Sequence, residues 1–216
     1  MSEFRDRLRG LPTFPDDLPP FAVEATPTDP LALFAAWFDD AVSAGVPAPH
    51  AANLATADAA GAVHARTLTL KDVDADGFWF AAHATSPKGR DLAENPHAAL
   101  TFFWRELGRQ VRVTGAVHPG PEATSRADFL ARPDTSRAAG LLAHQSEPLT
   151  DQAQLREAFD AALERVRADR ELAAPTWTAY VLEPAEIEFW QAADDGHVRL
   201  RYRAGAAGWT KGLLWP

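Results

Sequence analysis

The sequence predicts a mainly β protein with flanking helices, folded as an antiparallel barrel or sandwich. From residue 51 the hydrophobic period changes to two, and short β-rich runs follow one another at close spacing. Turn-forming stretches such as Asp-Ala-Asp-Gly and Glu-Leu-Gly separate these runs. This arrangement favours an antiparallel sheet over the parallel sheet of a dinucleotide-binding fold.

Composition limits the functions open to the chain. Its 216 residues are 46% hydrophobic and 24% charged, as expected of a globular protein with one extended core. The formal net charge of −9 argues against a general nucleic-acid or anionic-membrane surface, so any phosphate recognised here should belong to a small molecule. The absence of cysteine excludes thiolate chemistry and agrees with a cytoplasmic location. Neither a signal peptide nor a membrane span is predicted.

The N-terminal part divides into an arm and a helix. Residues 1–28 are rich in proline and have no sustained period, which predicts an irregular arm, whereas residues 29–216 are predicted to form one domain. Asp29 fits an N-cap, Pro30 fits the first helical position, and Gly45 fits the stop. The predicted apolar stripe of this helix is Leu31, Phe34, Phe38 and Val42.

Strands and helices then alternate along the chain. Strands are predicted for the runs AANLATA, AVHARTLTL, GFWFAA, AALTFFW and QVRVTGAV, and in the last third for WTAYVLEPAEIEFWQ, HVRLRYR and GWTKGLLWP. Helices are predicted at about 87–95, 121–131 and 151–169. The last of these has a clear apolar stripe, formed by Leu155, Ala158, Phe159, Ala162, Leu163 and Val166.

The junction Ser-Pro-Lys-Gly-Arg is a candidate anion site. Ser86 fits an N-cap, Pro87 the first helical position, and Lys88 and Arg90 lie in or beside the first turn. Free backbone N–H groups and the positive end of the helix dipole favour an anion there, and Lys88 adds a charge. The alternative is an ordinary solvated helix start with two surface bases.

Two cations, Arg66 and Lys71, stand at the ends of the run RTLTLK. Strict alternation sends them to opposite faces, so both reach one site only if the strand bends, ends or lies at a sheet edge. Otherwise they are a surface pair.

Further candidates lie on later strands. Gln110 shares a strand face with Arg112, and His197 shares one with Arg199. Trp190 ends the run IEFW. The alternatives are a core tryptophan and a surface histidine.

Several other chemistries lack their motifs. The sequence contains no His-Glu-x-x-His, no Gly-x-Ser-x-Gly, no Gly-x-Gly-x-x-Gly and no Walker loop. Its seven histidines have no metal-ligand spacing, so no metal site is predicted.

Taken in order, the segments resemble the pyridoxine/pyridoxamine 5′-phosphate oxidase family, from about residue 29 to the C-terminus. The segments that carry the resemblance are DPLALFAAWFDDA, RTLTLK, SPKGRDLAENP, FFWRELGRQVRVTG, ARPDTSRAA, HQSEPL and EIEFWQ followed by HVRLRYR. The resemblance implies a split β-barrel homodimer with FMN at the subunit interface, each site drawing residues from both chains. It also implies that the Ser-Pro-Lys-Gly-Arg junction holds the FMN phosphate.

The resemblance assigns residues to the two ligands. Those matched to flavin binding are Arg66, Thr67, Leu68, Lys71, Lys88, Gln110, Gln145, Ser146, Trp190 and Arg199. Those matched to the substrate are Lys71, Arg132, Ser136 and His197, and the first three would hold its phosphate through charge-assisted hydrogen bonds. His197 matches a histidine beside the flavin ring and is the candidate catalytic residue.

The chain also departs from the family pattern. Pro87 stands where a second arginine is usual, and Ala81 and Ala82 replace a tyrosine-threonine pair. Asp128 replaces a tyrosine of the phosphate site and would repel a phosphate if it pointed inward. Asp195 falls where an arginine is expected, in a segment one residue shorter than usual.

Three hypotheses follow from the resemblance. The first is an FMN-dependent oxidase of pyridoxamine or pyridoxine 5′-phosphate, with O2 as acceptor. The second is a flavin oxidase of another reduced aromatic substrate, because HATSPKGRDL and the shortened loop are similar to the phenazine-biosynthesis branch of the family. The third is a non-catalytic flavin-binding protein.

Overall fold

The computed structural model describes residues 2–193 and 196–216, in which helices flank one large sheet. The helices are α1 (Glu3–Arg9), α2 (Pro30–Ser43), α3 (Pro87–Glu94), α4 (Glu122–Ala131), α5 (Asp134–Leu142) and α6 (Gln152–Ala168). No helix in these described ranges is long and apolar enough to cross a membrane.

The sheet of the described residues has nine strands. They are β1 (Ala51–Ala57), β2 (Val63–Thr69), β3 (Asp72–Asp74), β4 (Gly77–His83), β5 (His97–Trp104), β6 (Arg109–Pro119), β7 (Trp177–Gln191), β8 (Val198–Gly205) and β9 (Gly208–Leu213). The sheet order is β2-β1-β5-β6-β7-β4-β3, with β8 paired to β7 and β9 to β8. The pairs β3–β4, β4–β7, β7–β8 and β8–β9 are antiparallel. The prediction of a mainly β fold with flanking helices is confirmed.

The chain forms two compact units, and strands β1, β5, β6 and β7 contribute residues to both. The first unit contains the residues up to Ala52, Leu100–Val113 and Ala185–Pro216. Its core is aromatic: Trp37 of α2 packs edge-on against Phe189 at 5.1 Å between ring centroids. The guanidinium of Arg109 lies 4.4 Å from the centroid of the Trp37 ring.

The second unit contains Asn53–Ala99 and Thr114–Pro184. In its sheet, Phe78 and Phe80 of β4 are fully buried and pair in register with Leu182 and Tyr180 of β7. A separate cluster, Ala138 of α5 with Ala162 and Val166 of α6, joins these two helices. The second unit holds most of the predicted site residues.

The predicted N-cap and first residue of α2 are confirmed. Asp29 caps α2 by accepting a hydrogen bond from Leu31 N at 2.9 Å, and Pro30 is the first helical residue. The predicted stripe was wrong at its end, because Val42 is 54% exposed. The buried face of α2 is Pro30, Leu33, Phe34, Trp37 and Ala41.

Other elements differ from the prediction. The arm predicted to be irregular contains the short helix α1, which Ser2 caps through its side chain. Helix α5 was not predicted, since its sequence DTSRAAGLL follows a proline and contains a glycine. On α6 the predicted stripe was wrong at its start, because Leu155 is 43% exposed, whereas Ala162 and Val166 pack against α5.

Gly89 lets the start of α3 approach the end of β4 closely. A Cβ placed on Gly89 would lie 2.3 Å from the carbonyl oxygen of Ala84 and 2.5 Å from that of His83. Both are backbone atoms, so they cannot move aside as a side-chain end could. Because residue 89 has no side chain, α3 can lie this close to the end of β4. This position also places Lys88 and Asp91, which α3 carries.

We expect Gly89→Ala to lower the free energy of unfolding by about 1–3 kcal/mol, the usual range for overpacking a tight site. Urea denaturation at neutral pH measures this change. The matched control is Gly10→Ala, since a Cβ at Gly10 meets only ordinary contacts of 3.7 and 3.8 Å. Equal stability of the two variants would show that α3 adjusts freely.

Candidate active site

The second unit contains a cavity of about 790 Å³, a size suited to a small-molecule cofactor or substrate. Its wall is formed by β2, the end of β4, the start of α3, α5, the segment 143–149 and the start of α6. Six predicted site residues line it: Arg66, Thr67, Leu68, Lys88, Arg132 and Gln145. The structure thus brings together residues from distant parts of the sequence.

Arg66 is held in the cavity wall by a buried carboxylate. Asp91 of α3 accepts a hydrogen bond from Thr56 Oγ1 at 2.6 Å, and its Oδ2 lies 3.1 Å from His64 Nδ1 and 3.7 Å from Arg66 Nη2. Arg66 Nη1 in turn donates to Thr56 Oγ1 at 2.7 Å. The guanidinium is therefore fixed from two sides before any ligand binds.

Electrostatics at Asp91 favour its ionised form. Burial raises the pKa of the Asp91 carboxyl, but hydrogen bonds from Thr56 and His64 and the charges of His64 and Arg66 outweigh burial. The pKa consequently lies below its ordinary value of 3.8. Burial lowers the pKa of Arg66. The charge of Asp91 and the hydrogen bond to it act in the opposite direction and raise this pKa.

Lys88 lies in the first turn of α3, as the sequence predicted. Ser86 caps the helix by accepting from Gly89 N at 3.3 Å, and Pro87 occupies the first helical position. Lys88 is buried, and its Nζ donates to Gln145 Oε1 at 2.8 Å and to Ser86 Oγ at 3.4 Å. Burial and the charge of Arg66 lower the pKa of Lys88.

These two cations, together with the positive end of α3, form a site that favours an anion. Each lowered pKa reflects a charge taken partly out of water, and at Lys88 it also reflects the charge of Arg66. A phosphate group would relieve this penalty through charge-assisted hydrogen bonds. The hydrogen-bond partners of Lys88, Gln145 and Ser86, are neutral, so its charge remains available to a ligand.

His83 is a cavity residue that sequence reasoning missed. It is buried at the end of β4, its Nδ1 lies 2.9 Å from Thr176 Oγ1, and its ring packs edge-on against Trp177 at 5.0 Å. Burial and the charges of Arg132 and Lys88 lower the pKa of His83, and a hydrogen bond involving the Gly140 backbone acts in the opposite direction. The available signal was its position three residues before the N-cap Ser86.

Arg132 also lines the cavity and lacks a full set of partners. Its guanidinium lies 4.2 Å from the centroid of the Trp177 ring, and its Nη1 is buried without a hydrogen-bond partner among the described residues. Burial lowers its pKa, against the charge of Asp128. Gly140 leaves room for it, since a Cβ there would lie 2.8 Å from Arg132 Nη1.

Lys71 and Ser136 lie off the described cavity wall. Lys71 Nζ is 3.2 Å from Asp128 Oδ1, and Trp177 Nε1 donates to Asp128 Oδ2 at 2.8 Å. Ser136 is half-buried in the first turn of α5, while Ser146 is exposed with a positive φ of 72°. Ala81 and Ala82 both line the cavity.

A second group of predicted residues belongs to the first unit. The rings of Trp190 and His197 lie 4.6 Å apart, and Trp190 pairs in register with Arg199. Arg199 Nε donates to the buried Glu188 at 2.7 Å, and this hydrogen bond raises the Arg199 pKa. Gln110 is half-buried on β6, and Asp195 lies outside the described residues.

The first unit adds two contacts that the sequence did not predict. Arg112, on the same face of β6 as Gln110, also pairs with Glu188, so one buried carboxylate holds two arginines. Phe14 of the N-terminal arm lies against Trp190, with 5.7 Å between ring centroids. The aromatic surface of Trp190 is thus contacted by His197 and by the arm.

No group of three or more acidic, histidine or cysteine side chains suited to a metal occurs in the part of the chain that the structure describes.

Comparison with known proteins assigns the chain to a class. Residues 38–170 match the family model described as pyridoxamine 5′-phosphate oxidase. Residues 177–216 match the C-terminal dimerisation region of pyridoxine 5′-phosphate oxidase. The chain is 44% identical over 197 residues to the pyridoxine/pyridoxamine 5′-phosphate oxidase of Bordetella avium, covering 89% of this chain and 90% of that protein.

A further relative, from Anaeromyxobacter dehalogenans, is 42% identical, with coverage of 92% and 99%. The crystal structure of PhzG from Burkholderia lata, in complex with tetrahydrophenazine-1-carboxylic acid, matches with a TM-score of 0.87 and 33% identity over 95% of this chain and 100% of that one. The chain belongs to the pyridoxine/pyridoxamine 5′-phosphate oxidase family, as its sequence segments predicted, and it has that family's split-barrel fold.

The buried carboxylate of Asp91 predicts a pH dependence of stability. The pKa of Asp91 is lower in the folded protein than its ordinary value of 3.8. The ionised carboxylate therefore stabilises the fold fully above pH 3.8, and this stabilisation is lost as the pH falls through the pKa of the folded state. We expect Asp91→Asn to cost about 3 kcal/mol at neutral pH, as for a buried pair that loses one partner. The gap between wild type and variant should narrow below pH 3.8.

Urea denaturation of both proteins from neutral pH to about pH 3 measures this gap. Glu94→Gln is the control, because Glu94 lies exposed on the same helix and accepts only from Ala59 N at 3.3 Å. A gap of constant size over the whole range would mean that Asp91 does not stabilise the fold through its charge.

Proposed function

We propose that the protein is an FMN-dependent oxidase that converts pyridoxamine or pyridoxine 5′-phosphate to pyridoxal 5′-phosphate with O2 as acceptor. The observation that carries the proposal is a pair of cations in the wall of a cavity of cofactor size: the half-buried Arg66 of β2 and the buried Lys88 at the start of α3. Family membership and the named relatives support it.

The residues present fit the phosphate of FMN. Arg66 is oriented by Asp91, Lys88 has only neutral hydrogen-bond partners, and the α3 dipole adds to both charges. Thr67 and Leu68 continue the cavity wall beyond Arg66, and Gln145 is already in contact with Lys88. In this proposal Ser146, Gln110, Trp190, Arg199 and Lys71 supply the remaining flavin contacts.

We propose further that the protein acts as a homodimer with FMN at the interface. The predicted flavin residues fall into two groups, one in each compact unit, and the proposal assigns the groups to different subunits. The match to a dimerisation region over residues 177–216 supports this. Trp215, 91% exposed, is available for such an interface. Residues 29–216 would then be one FMN-binding split-barrel domain with an N-terminal arm.

The substrate would be bound by its phosphate and oriented by its ring. Lys71, Arg132 and Ser136 are proposed to bind the phosphate, and the buried Nη1 of Arg132, which has no hydrogen-bond partner among the described residues, supports an acceptor at that place. His197, whose ring lies tilted against that of Trp190, would lie on the substrate side. When bound, FMN would supply the redox chemistry that moves two electrons and two protons from the C4′ position to O2 to give H2O2, and with the amine substrate water would then release ammonia.

A second candidate substrate is a reduced aromatic carboxylate. One observation favours it: Asp128 already neutralises Lys71, which leaves less positive charge for a phosphate dianion. The PhzG structure, similar over nearly the whole chain, holds tetrahydrophenazine-1-carboxylic acid. Such a ligand carries one negative charge, which Arg132 alone could match.

Oxygen uptake by the FMN-loaded protein, followed together with pyridoxal 5′-phosphate formation, tests the proposed function. We expect both to appear when pyridoxamine 5′-phosphate is added. We expect Lys88→Gln to weaken FMN binding roughly 10–100-fold, the effect of losing one charge-assisted hydrogen bond.

Arg90→Gln is the matched control, because Arg90 is an exposed cation on the same helix whose guanidinium bonds to the Thr85 carbonyl. Its FMN affinity should equal that of the wild type. A flavin-loaded protein that consumes no oxygen with this substrate would refute the vitamin B6 assignment. Equal losses in both variants would refute the specific part given to Lys88.

A further inference from the structure

Beside the cavity, Lys71 already has an anionic partner. Its Nζ lies 3.2 Å from Asp128 Oδ1, and the two side chains are 33% and 18% exposed. Partial burial strengthens such a pair relative to one in bulk water. A ligand that uses Lys71 must therefore compete with this carboxylate.

The second oxygen of Asp128 is also engaged. Trp177 Nε1 donates to Asp128 Oδ2 at 2.8 Å, and the Trp177 ring lines the cavity. The carboxylate is thus fixed at both oxygens, between α4 and the start of β7. It cannot turn away from Lys71 without also losing or straining the tryptophan hydrogen bond.

Arg132 lies over the ring of the same tryptophan. Its guanidinium lies 4.2 Å from the Trp177 ring centroid, whereas the Trp177 N–H points to Asp128. In the described part of the chain, Arg132 Nη1 has no hydrogen-bond partner. The two cations therefore differ: Lys71 is compensated by a carboxylate, and Arg132 keeps a donor for a ligand.

We infer that Asp128 is a specificity-determining residue, an internal anion that competes with the substrate phosphate for Lys71 and lowers the selectivity of the site for phosphorylated ligands. The inference deepens the proposed function and rests on it for the identity of the ligand. Lys71, Arg132 and Asp128 together carry a net charge of +1, which suits a singly charged anion better than a phosphate dianion. A dianion gains the full attraction of Lys71 only after Asp128 is displaced.

The test compares two ligands that differ by the phosphate alone. Equilibrium binding of pyridoxal 5′-phosphate and of pyridoxal is measured on the FMN-loaded full-length protein, as wild type and as Asp128→Asn. The asparagine keeps an oxygen that can accept from Trp177 Nε1, so the variant removes the charge and preserves this hydrogen bond. We expect Asp128→Asn to bind pyridoxal 5′-phosphate about tenfold more tightly, with pyridoxal unchanged within about twofold.

Two further variants isolate the cause. Glu171→Gln removes an exposed carboxylate that pairs with Arg126 of α4, and it should leave both affinities unchanged if the effect is local. In a Lys71→Met background, the gain from Asp128→Asn should fall to less than about threefold, because the contested cation is absent. Asp128→Ser serves as a second charge-removing variant if the asparagine protein does not fold.

The inference is overturned if removing the Asp128 charge leaves pyridoxal 5′-phosphate affinity unchanged or weaker, or if pyridoxal affinity rises equally. The fate of the proposed function is read separately, from turnover. If the wild type does not turn over pyridoxamine 5′-phosphate but Asp128→Asn binds pyridoxal 5′-phosphate more selectively, the oxidase assignment is refuted and the inference is supported. If the wild type turns over pyridoxamine 5′-phosphate and Asp128→Asn leaves the selectivity unchanged, the oxidase assignment is supported and the inference is refuted.

Discussion

The buried carboxylate of Asp91 is the interaction on which the proposed cofactor site depends. It joins Thr56 of β1 and His64 and Arg66 of β2 to helix α3. The same helix carries Lys88, and Gly89 allows it to approach the end of β4. One anion inside the fold therefore orients one cation and fixes the helix that presents the next.

The positive charges around the cavity fall into two classes. Arg66 and Lys71 have carboxylate partners, Asp91 and Asp128, whereas Lys88 donates to neutral oxygens and Arg132 packs on an aromatic ring. A cation that forms no ion pair with a carboxylate in the described part of the chain is the one that gains most from a bound phosphate or carboxylate. This difference assigns Lys88 and Arg132 as the available donors and explains how an acidic chain can still present an anion site.

Local sequence signals predicted much of this structure. The N-caps Asp29 and Ser86, each followed by proline, gave the starts of α2 and α3, and alternating runs gave most of the strands. The sequence order of seven segments predicted the family. What it could not predict were partners far apart along the chain, because these arise only when the elements pack.

The pairing of Lys71 with Asp128 spans two elements with no pattern linking them, and the same holds for His83 with Thr176. Hydrophobic periodicity also could not distinguish the residues of a helix that line a cavity from those that pack in a core. On α6 the early positions Leu155 and Ala158 line the cavity, whereas Ala162 and Val166 pack on α5. An apolar stripe is the same in sequence whether it meets a core or a ligand.

Arg66 of β2 and Lys88 at the start of α3 are proposed to bind the phosphate of a flavin. The most direct measurement is the dissociation constant of the purified protein for FMN against that for riboflavin, which lacks only the phosphate. We expect FMN to bind at least about 100-fold more tightly, as two or more charge-assisted hydrogen bonds would give. Equal affinity for the two flavins would contradict the claim.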